Sequence, residues 1–345
     1  MRNLKGTRRR QGFRGVEGIK SPAAGRAKLG RGVKMNVLNQ VVANDYAIYN
    51  GDSCEVVKAL SDESVGYIIY SPPFDSLYTY SNSDRDMGNS EKGEFMEHFA
   101  FLAKDLFRIL KSGRLMSFHC MNLPTSKVRD GFIGIRDFRG ELIRLFESVG
   151  FIFHSEVCIW KDPVIAQQRT KALGLLHKQL VKDSAMSRQG IPDYLVTMRK
   201  PGINAEPIEG GLKYYCGDGA PIASKFDEEK GNLNRGSIEV WQRYASPVWM
   251  DINPSNTLSL KGSREDEDEK HICPLQLDVI ERALQLWSNE GDVVFTPFLG
   301  IGSEVYQSLK MNRKGIGIEL KSSYFNVAAK NCELALRERA QGSLF

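Results

Sequence analysis

The sequence has few of the residues that hold metals or covalent cross-links. Six cysteines are scattered along 345 residues without a Cys-x-x-Cys pair, and the five histidines show no metal-ligand spacing. This pattern argues against a zinc site or a disulfide scaffold and favours reduced thiols in a cytoplasmic protein. No apolar run approaches the length of about 20 residues that a membrane helix needs. We therefore expect no metal and no membrane span.

Positive charge is unevenly distributed along the chain. The net charge is +5, but residues 1–35 contain eleven Lys and Arg against one Glu, a balance of +10, so the other 310 residues sum to −5. This Gly- and Arg-rich stretch has no hydrophobic period and is predicted to be a disordered basic tail. Two interpretations stay open: an arm that attracts nucleic acid, or a non-essential extension before a start at Met35.

A short apolar run followed by two prolines is the feature around which the chain is organised. Residues 66–70, Gly-Tyr-Ile-Ile-Tyr, predict a buried strand of a parallel sheet. Pro72 and Pro73 cannot continue the ladder, so the chain leaves the sheet as a stiff, extended turn. The turn fixes the Ser71 hydroxyl, the prolyl carbonyls and the Phe74 ring in one arrangement. Acceptors beside a stacking ring suit a planar group with an NH2; the alternative is a strand-ending turn with one packed aromatic.

A second stretch near the other end of the chain has the order strand, glycine loop, helix, strand, acid. Residues 291–296 predict the first strand, Gly300 and Gly302 the loop, and Glu319 ends the second strand. This order is typical of a nucleotide-binding βαβ unit, whose acid accepts hydrogen bonds from ribose hydroxyls. Val305 stands where the dinucleotide fingerprint has its third glycine. An adenosine without phosphates is therefore favoured over a pyrophosphate.

Together, the two stretches resemble the amino-methylating DNA methyltransferases (N4-cytosine and N6-adenine), in the permuted group called β. Such enzymes carry an [Asp/Asn/Ser]-Pro-Pro-[Tyr/Phe/Trp] catalytic motif upstream, here residues 71–74, and a Phe-x-Gly-x-Gly motif downstream, here residues 298–302. The resemblance covers roughly residues 45–160 and 270–335. It implies a doubly wound, Rossmann-like α/β methyltransferase sheet, S-adenosyl-L-methionine as cofactor, and double-stranded DNA as substrate, in a bacterial or phage-encoded protein.

The resemblance also implies a set of cofactor contacts. Asp52 matches a family acid near the adenine, although it is equally expected to cap the following helix. Thr296 replaces the aspartate usual in the family, so it can accept a hydrogen bond but cannot neutralise the cofactor's ammonium group. The predicted cofactor-binding residues are Asp52, His271, Pro274, Thr296, Pro297, Phe298, Gly300, Gly302 and Glu319.

The middle of the chain is predicted to recognise DNA. We divide the chain into the tail 1–35, a catalytic half 36–163, an inserted recognition region 164–260 and a cofactor-binding half 261–345. The insertion loses periodicity after residue 200 and holds aromatic and basic residues; the alternative is a surface subdomain without base contacts. The loop that follows Phe74 is expected to contact substrate or act as a lid. The predicted DNA-binding residues are Tyr78, Arg85, Lys161, Arg169, Lys171, Arg188, Arg235 and Arg243.

Further strands and two ambiguous side chains complete the expected architecture. Residues 194–200 predict a strand that pairs back on the strand ending at Trp160. His119 lies near the end of the strand predicted at 114–120 and either faces the site or is a structural histidine. Trp160 either walls the pocket or packs in the core.

The expected chemistry is methyl transfer to the exocyclic amino group of a flipped cytosine (N4) or adenine (N6). Hydrogen bonds to Ser71 and the Pro72 carbonyl would localise the nitrogen lone pair, and Phe74 would stack on the base. Ser71 is not expected to act as a strong base, so the proton leaves after transfer. In the family that the chain resembles, Ser at the first motif position is commoner in cytosine-N4 enzymes, so the resemblance slightly favours cytosine. An RNA or other amino-group methyltransferase and a catalytically weak DNA-binding homologue remain alternatives; a homodimer is compatible with the sequence, and a restriction partner has no signal in it.

Overall fold

A mixed β-sheet forms the centre of the computed structural model, which describes residues 36–74, 94–170, 173–208, 235–259 and 274–342. The predictions for the tail and for most of the loop after Phe74 lie outside these residues. The strands are β1 (Asn39–Val42), β2 (Tyr46–Asn50), β3 (Val65–Tyr70), β4 (Leu110–Met121), β5 (Leu123–Pro124), β6 (Ile135–Arg136), β7 (Ile152–Ile159), β8 (Asp193–Arg199), β9 (Val248–Trp249), β10 (Val293–Thr296) and β11 (Lys314–Glu319).

Helices connect these strands. The α-helices are α1 (Ser53–Val56), α2 (Glu94–Ile109), α3 (Lys127–Asp130), α4 (Phe138–Ser148), α5 (Pro163–Thr170), α6 (His177–Lys182), α7 (Arg235–Tyr244), α8 (Leu277–Trp287), α9 (Ser303–Lys310) and α10 (Ser322–Gly342). Short 3-10 turns occupy Val57–Ala59, Leu173–Leu175 and Ser184–Met186. None of the helices in the described part of the chain combines the length and the apolar character needed to cross a bilayer.

The order of the strands in the sheet differs from their order along the chain. Among the described residues, nine strands follow the order β1-β2-β11-β10-β3-β4-β8-β7-β9. Strands β2, β11, β10, β3 and β4 run parallel, and β8 is antiparallel to its neighbours β4 and β7. The predicted doubly wound α/β sheet and the pairing of the strands that end near Trp160 and begin near Tyr194 are confirmed.

Helices cover both faces of the sheet, so the central strand β3 is buried on both sides. Ile68 and Tyr70 face the cluster formed with α2 and α4, whereas Tyr67 and Ile69 face α8. Apolar residues at helical spacing form the buried face of α2. A strand buried on both faces belongs in the middle of a parallel sheet, which places the turn that follows it at the centre of one edge.

Two glycines of β11 let the chain after β10 pack closely on the sheet. A Cβ at Gly315 would lie 2.5 Å from Cγ1 of Val305, and one at Gly317 would lie 2.5 Å from Cδ1 of Leu299. Any side chain at these positions would push α9 and the loop before it away from the sheet. These glycines therefore set the height of the predicted cofactor loop above the sheet.

The region predicted as an insertion is not separate from the sheet. Strand β8 lies inside the 164–260 range and pairs with β4 and β7, so the excursions fall on either side of a core strand. The second excursion is fastened to α8 by Arg282. Its guanidinium donates to both carboxylate oxygens of Asp251 at 2.8 and 2.7 Å and lies 5.0 and 5.2 Å from the ring centroids of Tyr244 and Trp249.

Glu304, in the first turn of α9, is a carboxyl group inside the core. Its residue is 4% exposed. Burial raises the pKa of Glu304 to about 8; its own backbone N–H lowers the pKa, and the neighbouring Glu319 carboxylate raises it. The unfolded chain releases this proton near the ordinary value of 4.5, whereas the folded chain keeps it up to about pH 8. The free energy of unfolding should therefore fall as the pH rises through this window.

We expect Glu304→Gln to remove this part of the pH dependence. The variant should gain stability relative to the wild type between about pH 5 and pH 8, on the order of a few kcal/mol, since each pKa unit is worth about 1.4 kcal/mol. Thermal or urea unfolding at several pH values measures the difference. The exposed Glu97→Gln is the matched control and should show no such trend. A difference that is constant with pH would contradict a neutral Glu304.

Candidate active site

The predicted site residues meet at one edge of the sheet, because the parallel strands all end there. Asp52 follows β2, Glu319 ends β11, Thr296 ends β10 and Ser71 follows β3. These loops are bonded to one another: the Ser53 hydroxyl donates to the carbonyl of Pro297, and the N–H of Gly51 donates to the carbonyl of Glu319 at 3.0 Å. These four residues, all predicted site residues, therefore lie at the same edge of the sheet.

The Ser-Pro-Pro-Phe turn leaves β3 with its two prolines buried and its two outer residues partly exposed. The Ser71 hydroxyl lies 3.3 Å from Nδ1 of His119 and 3.3 Å from the carbonyl oxygen of the same residue. The Phe74 ring packs edge-on against Phe138, with centroids 6.4 Å apart. The turn thus carries a partly exposed hydroxyl at Ser71 and, three residues later, an aromatic ring that packs on Phe138.

On the side away from Ser71, His119 contacts the Asp193 carboxylate, which in turn pairs with Lys161. Its Nε2 atom lies 3.1 Å from Oδ2 of Asp193, although the N–H direction is poorly aligned with that oxygen. The Lys161 ammonium group pairs with Oδ1 of Asp193. Burial alone would raise the pKa of Asp193, but the His119 and Lys161 contacts outweigh burial and lower the pKa below its ordinary range. Asp193 is therefore an ionised carboxylate inside the protein.

The network contains residues that the sequence-based site left out or assigned differently. The sequence leaves open whether His119 faces the site, and the structure puts its ring in contact with Ser71. Asp193 carries no sequence signal. The ammonium group of Lys161, which the sequence predicts to bind DNA, pairs with Asp193. Trp160 is half-exposed at 48%, so it is not a core residue.

Glu319 joins the two loops of the predicted cofactor site. One carboxylate oxygen accepts from the N–H of Gly300 at 2.7 Å, and the other accepts from the N–H of Lys321 at 2.8 Å. Gly300 and Gly302 both have positive φ, at 53° and 95°. A Cβ at Gly300 would meet no atom within 4 Å, whereas one at Gly302 would lie 3.2 Å from Cα of Ala328. The loop is open beside Gly300 and tightly packed at Gly302.

The remaining cofactor predictions fall into three groups. Asp52 caps α1 by accepting from the N–H of Cys54 at 2.8 Å, as expected of it. Thr296 is fully buried, and its hydroxyl has no hydrogen-bond partner among the described residues. Pro274 is partly buried just before α8, and His271 lies outside the described residues.

Phe298 connects the two motifs through the core. Its ring stacks on Phe99 at 6.1 Å and lies 5.8 Å from the ring of Tyr70, the residue before Ser71. The loop that carries Gly300 is thus packed directly against the strand that carries the catalytic turn. The geometry fixes the distance between the two half-sites through hydrophobic contact.

The predicted DNA-binding residues are placed unevenly. Arg243 pairs with Asp251, and half-buried Arg188 donates to the carbonyl of Gln189 at 3.2 Å. Arg169 and Arg235 lie on α5 and α7, where their side chains are not described, and Tyr78, Arg85 and Lys171 lie outside the described residues. Among the described residues, no cluster of three or more His, Cys, Asp or Glu side chains is arranged to hold a metal.

Comparisons with known proteins agree with this geometry. The family described as DNA methylase (N6/N4 type) matches residues 65–330. The type II methyltransferase M.HindIII of Haemophilus influenzae is 23% identical over 312 residues, which cover 81% of this chain and 93% of that protein. The orphan methyltransferase M.BamHII of Bacillus amyloliquefaciens is 23% identical over 285 residues, 82% of this chain and 95% of that protein.

Two solved structures share the fold. PvuII DNA methyltransferase, named as cytosine-N4-specific, superimposes with a TM-score of 0.56 at 15% identity, covering 89% of this chain and 96% of its own. TTHA0409 from Thermus thermophilus, a DNA modification methylase complexed with S-adenosyl-L-methionine, gives a TM-score of 0.55 at 20% identity, covering 84% and 95%. Since the family match extends over well more than half of the sequence, the chain belongs to the N6/N4 DNA methylase family and is an S-adenosyl-L-methionine-dependent DNA methyltransferase that acts on an exocyclic amino group.

Proposed function

We propose that residues 71–74 hold the amino group of a flipped base while the loop around Gly300 holds the cofactor. The observation that carries this proposal is that both segments leave the same edge of the sheet and touch through Phe298 and Tyr70. A ligand bound at each segment would meet the other at the middle of this edge. Orientation of two reactants in this way is a large part of what such a transfer needs from a protein.

The residues present fit the cofactor. Glu319 would accept hydrogen bonds from the ribose hydroxyls, and the open space beside Gly300 would let the backbone approach closely. Asp52 would border the adenine end, and Pro297, Phe298, His271 and Pro274 would supply further contacts. Buried Thr296 would offer its unpartnered hydroxyl, without charge, near the methionine end. When bound, S-adenosyl-L-methionine supplies an electrophilic methyl group. The protein's part is to hold it beside Ser71.

The catalytic turn acts on the target nitrogen. An aromatic amino group is a poor nucleophile, because its lone pair is delocalised into the ring. Hydrogen bonds from its two protons to the Ser71 oxygen and the Pro72 carbonyl would favour a pyramidal nitrogen with a localised lone pair. Phe74, held by Phe138, would stack on the base and replace the neighbours it leaves in the duplex.

We propose cytosine N4 as the target, because the first motif position is serine. Adenine N6 is the alternative, since both bases present an NH2 beside a ring nitrogen. We also propose a bacterial cytoplasmic setting. The basic tail and the excursions on either side of β8 would contact DNA, the tail through phosphates and the excursions through bases.

Expression in a host that lacks DNA methyltransferases should mark one short sequence in its genome. Sequencing that reports modified bases should show N4-methylcytosine there, and Ser71→Ala should lower the rate of methylation by roughly 10²–10³-fold, as expected for one lost oriented hydrogen bond. Ser148→Ala, at the opposite end of α4 from the turn, is the matched control and should methylate normally. N6-methyladenine would move the target to the alternative base. Full activity in Ser71→Ala would show that the serine hydroxyl takes no part in the reaction.

Replacing Glu319 should weaken the cofactor site. Glu319→Gln keeps an acceptor for the Gly300 N–H but loses the charge, so affinity for S-adenosyl-L-methionine should fall by roughly 1.5–3 kcal/mol. Titration calorimetry measures the affinity, and a melting curve checks the fold. The exposed Glu333→Gln on α10 is the control and should bind normally. Equal affinity in the Glu319 variant would place the ribose elsewhere.

Removing the basic tail should change how the enzyme binds DNA in general but leave its sequence preference intact. A chain starting at Met35 loses the +10 balance and keeps the −5 remainder. On a non-cognate duplex, its log affinity should depend less steeply on log salt, because fewer counterions are released. A salt titration of both chains on the same duplex tests this. Identical slopes would show that the tail does not touch DNA, and a changed methylation sequence would put base recognition in the tail.

A further inference from the structure

Behind Ser71 lies a continuous line of polar side chains supplied by four separate segments. Ser71 follows β3, His119 is on β4, Asp193 begins β8, and Lys161 follows β7. The serine oxygen is 3.3 Å from Nδ1 of His119, Nε2 of His119 is 3.1 Å from Asp193, and Lys161 pairs with the other oxygen of Asp193. The line runs from a partly exposed hydroxyl, through buried His119 and Asp193, to a partly exposed ammonium group.

The sheet fixes this line independently of the loops. Asp193 pairs with Met121 of β4 on one side and with Ile159 of β7 on the other. These pairs put Asp193 between the strand that carries His119 and the chain that leads to Lys161. The arrangement depends on β8 running antiparallel, because only then does its first residue lie at the edge where β4 and β7 end.

The carboxylate determines which nitrogen of His119 carries a proton. Ionised Asp193 can only accept hydrogen bonds, so the nitrogen that faces it, Nε2, is the one that bears hydrogen in the neutral ring. Nδ1 is then an acceptor, and it faces the hydroxyl of Ser71. The serine proton points back towards His119, which leaves the outward lone pairs of Ser71 to accept a hydrogen bond from the substrate.

We propose that His119, held by Asp193 and Lys161, takes up through Ser71 the proton that the target nitrogen must lose. This rests on the role proposed above for Ser71. Once the methyl group is on the nitrogen, that nitrogen carries a positive charge. Its N–H bond breaks, the electron pair stays on nitrogen, and the proton goes to the Ser71 oxygen, while the serine's own proton moves to Nδ1 of His119. The products are a neutral methylated amine, an unchanged serine and an imidazolium paired with Asp193.

The surroundings suit this role better than a purely structural one. A buried carboxylate is costly unless it is paired, and Asp193 is 3% exposed. Lys161 balances its charge while the ring is neutral, and the ring adds a second positive partner after the transfer. The Nε2 contact is hydrogen-bond length but misaligned, and such contacts commonly tighten only with substrate bound. The proton leaves to solvent when the product departs.

Other charged groups near the line are already paired. Arg139 donates to Glu156 at 2.9 Å and lies over the ring of Tyr194, the residue after Asp193. Arg139 and Glu156 thus compensate each other's charge, and burial raises the pKa of the neighbouring Cys120 thiol. The charges that control His119 are therefore Asp193 and Lys161, with opposite signs.

The test is the single-turnover methylation rate as a function of pH, on a duplex carrying the mapped sequence and with saturating S-adenosyl-L-methionine. In the wild type, the rate should rise with pH and then level off, because the relay can take up a proton only in its unprotonated form. His119→Asn retains an acceptor near the Nδ1 position but cannot take a proton. It should be slower by roughly 10²-fold or more and lose the pH dependence, with cofactor affinity unchanged.

Variants of the two charged residues should move the profile in opposite directions. Asp193→Asn removes the charge that favours a protonated ring, so the midpoint of the pH–rate profile should shift to lower pH. Lys161→Met removes the opposing charge, so the midpoint should shift to higher pH. A role limited to packing moves neither midpoint. The melting curve of Asp193→Asn shows whether this variant folds. If it does not, the midpoint of Lys161→Met alone is compared with that of the wild type, because Lys161 is partly exposed.

The outcomes separate the two proposals. Normal rates and an unchanged profile in His119→Asn, with Ser71→Ala inactive, would overturn the relay and leave the role of Ser71 standing. An active Ser71→Ala would overturn the role of Ser71 and the relay with it. Midpoints that stay fixed in both charge variants, or that move in the same direction, would also overturn the relay.

Discussion

The shared direction of five strands is the constraint on which the rest of the structure depends. Strands β2, β11, β10, β3 and β4 are parallel, so the residues that follow them are brought to one edge whatever their order in the sequence. Glu319 and Ser71 are separated by most of the chain, yet they leave sheet positions only two strands apart. The order of the strands along the chain decides which loops are neighbours in sequence. It does not change which residues reach this edge of the sheet.

Close packing of side chains behind this edge then fixes the distances between the cofactor loop and the catalytic turn. Gly315 and Gly317 allow α9 and Leu299 to lie directly on β11, and Glu319 ties the Gly300 N–H to the end of the same strand. Phe298 extends the contact to Tyr70 and hence to the catalytic turn. None of these contacts involves a reacting group. They hold both halves of the site to a hydrophobic core, which deforms less readily than a loop does.

The sequence was sufficient for features that are local in the chain. The turn at residues 71–74 and the acid at 319 follow from strand patterns, prolines and glycines, and both lie where predicted. Asp193 could not be found in this way, because its contact with His119 arises from the pairing of β8 with β4 across 74 residues of chain. The ion pair between Lys161 and Asp193 could not be found from the sequence for the same reason. It depends on the pairing of β7 with β8, which brings the chain after β7 beside the first residue of β8.

The serine of the catalytic turn is explained by its contact with His119 and by the Asp193 carboxylate beyond that ring. An aspartate at that position would bring its own charge and could only accept hydrogen bonds. A serine brings no charge and carries a proton that can point in several directions, so it becomes a well-oriented acceptor only if something takes that proton. The carbonyl oxygen and Nδ1 of His119, each 3.3 Å from the hydroxyl oxygen, are the acceptors that face this proton, and the negative charge stands one residue further back, on Asp193. The site thus places its carboxylate out of contact with the base and passes its influence through two hydrogen-bonding groups. That arrangement keeps the approach to the target nitrogen uncharged while the nitrogen is neutral, and supplies a counter-charge when the nitrogen has become positive.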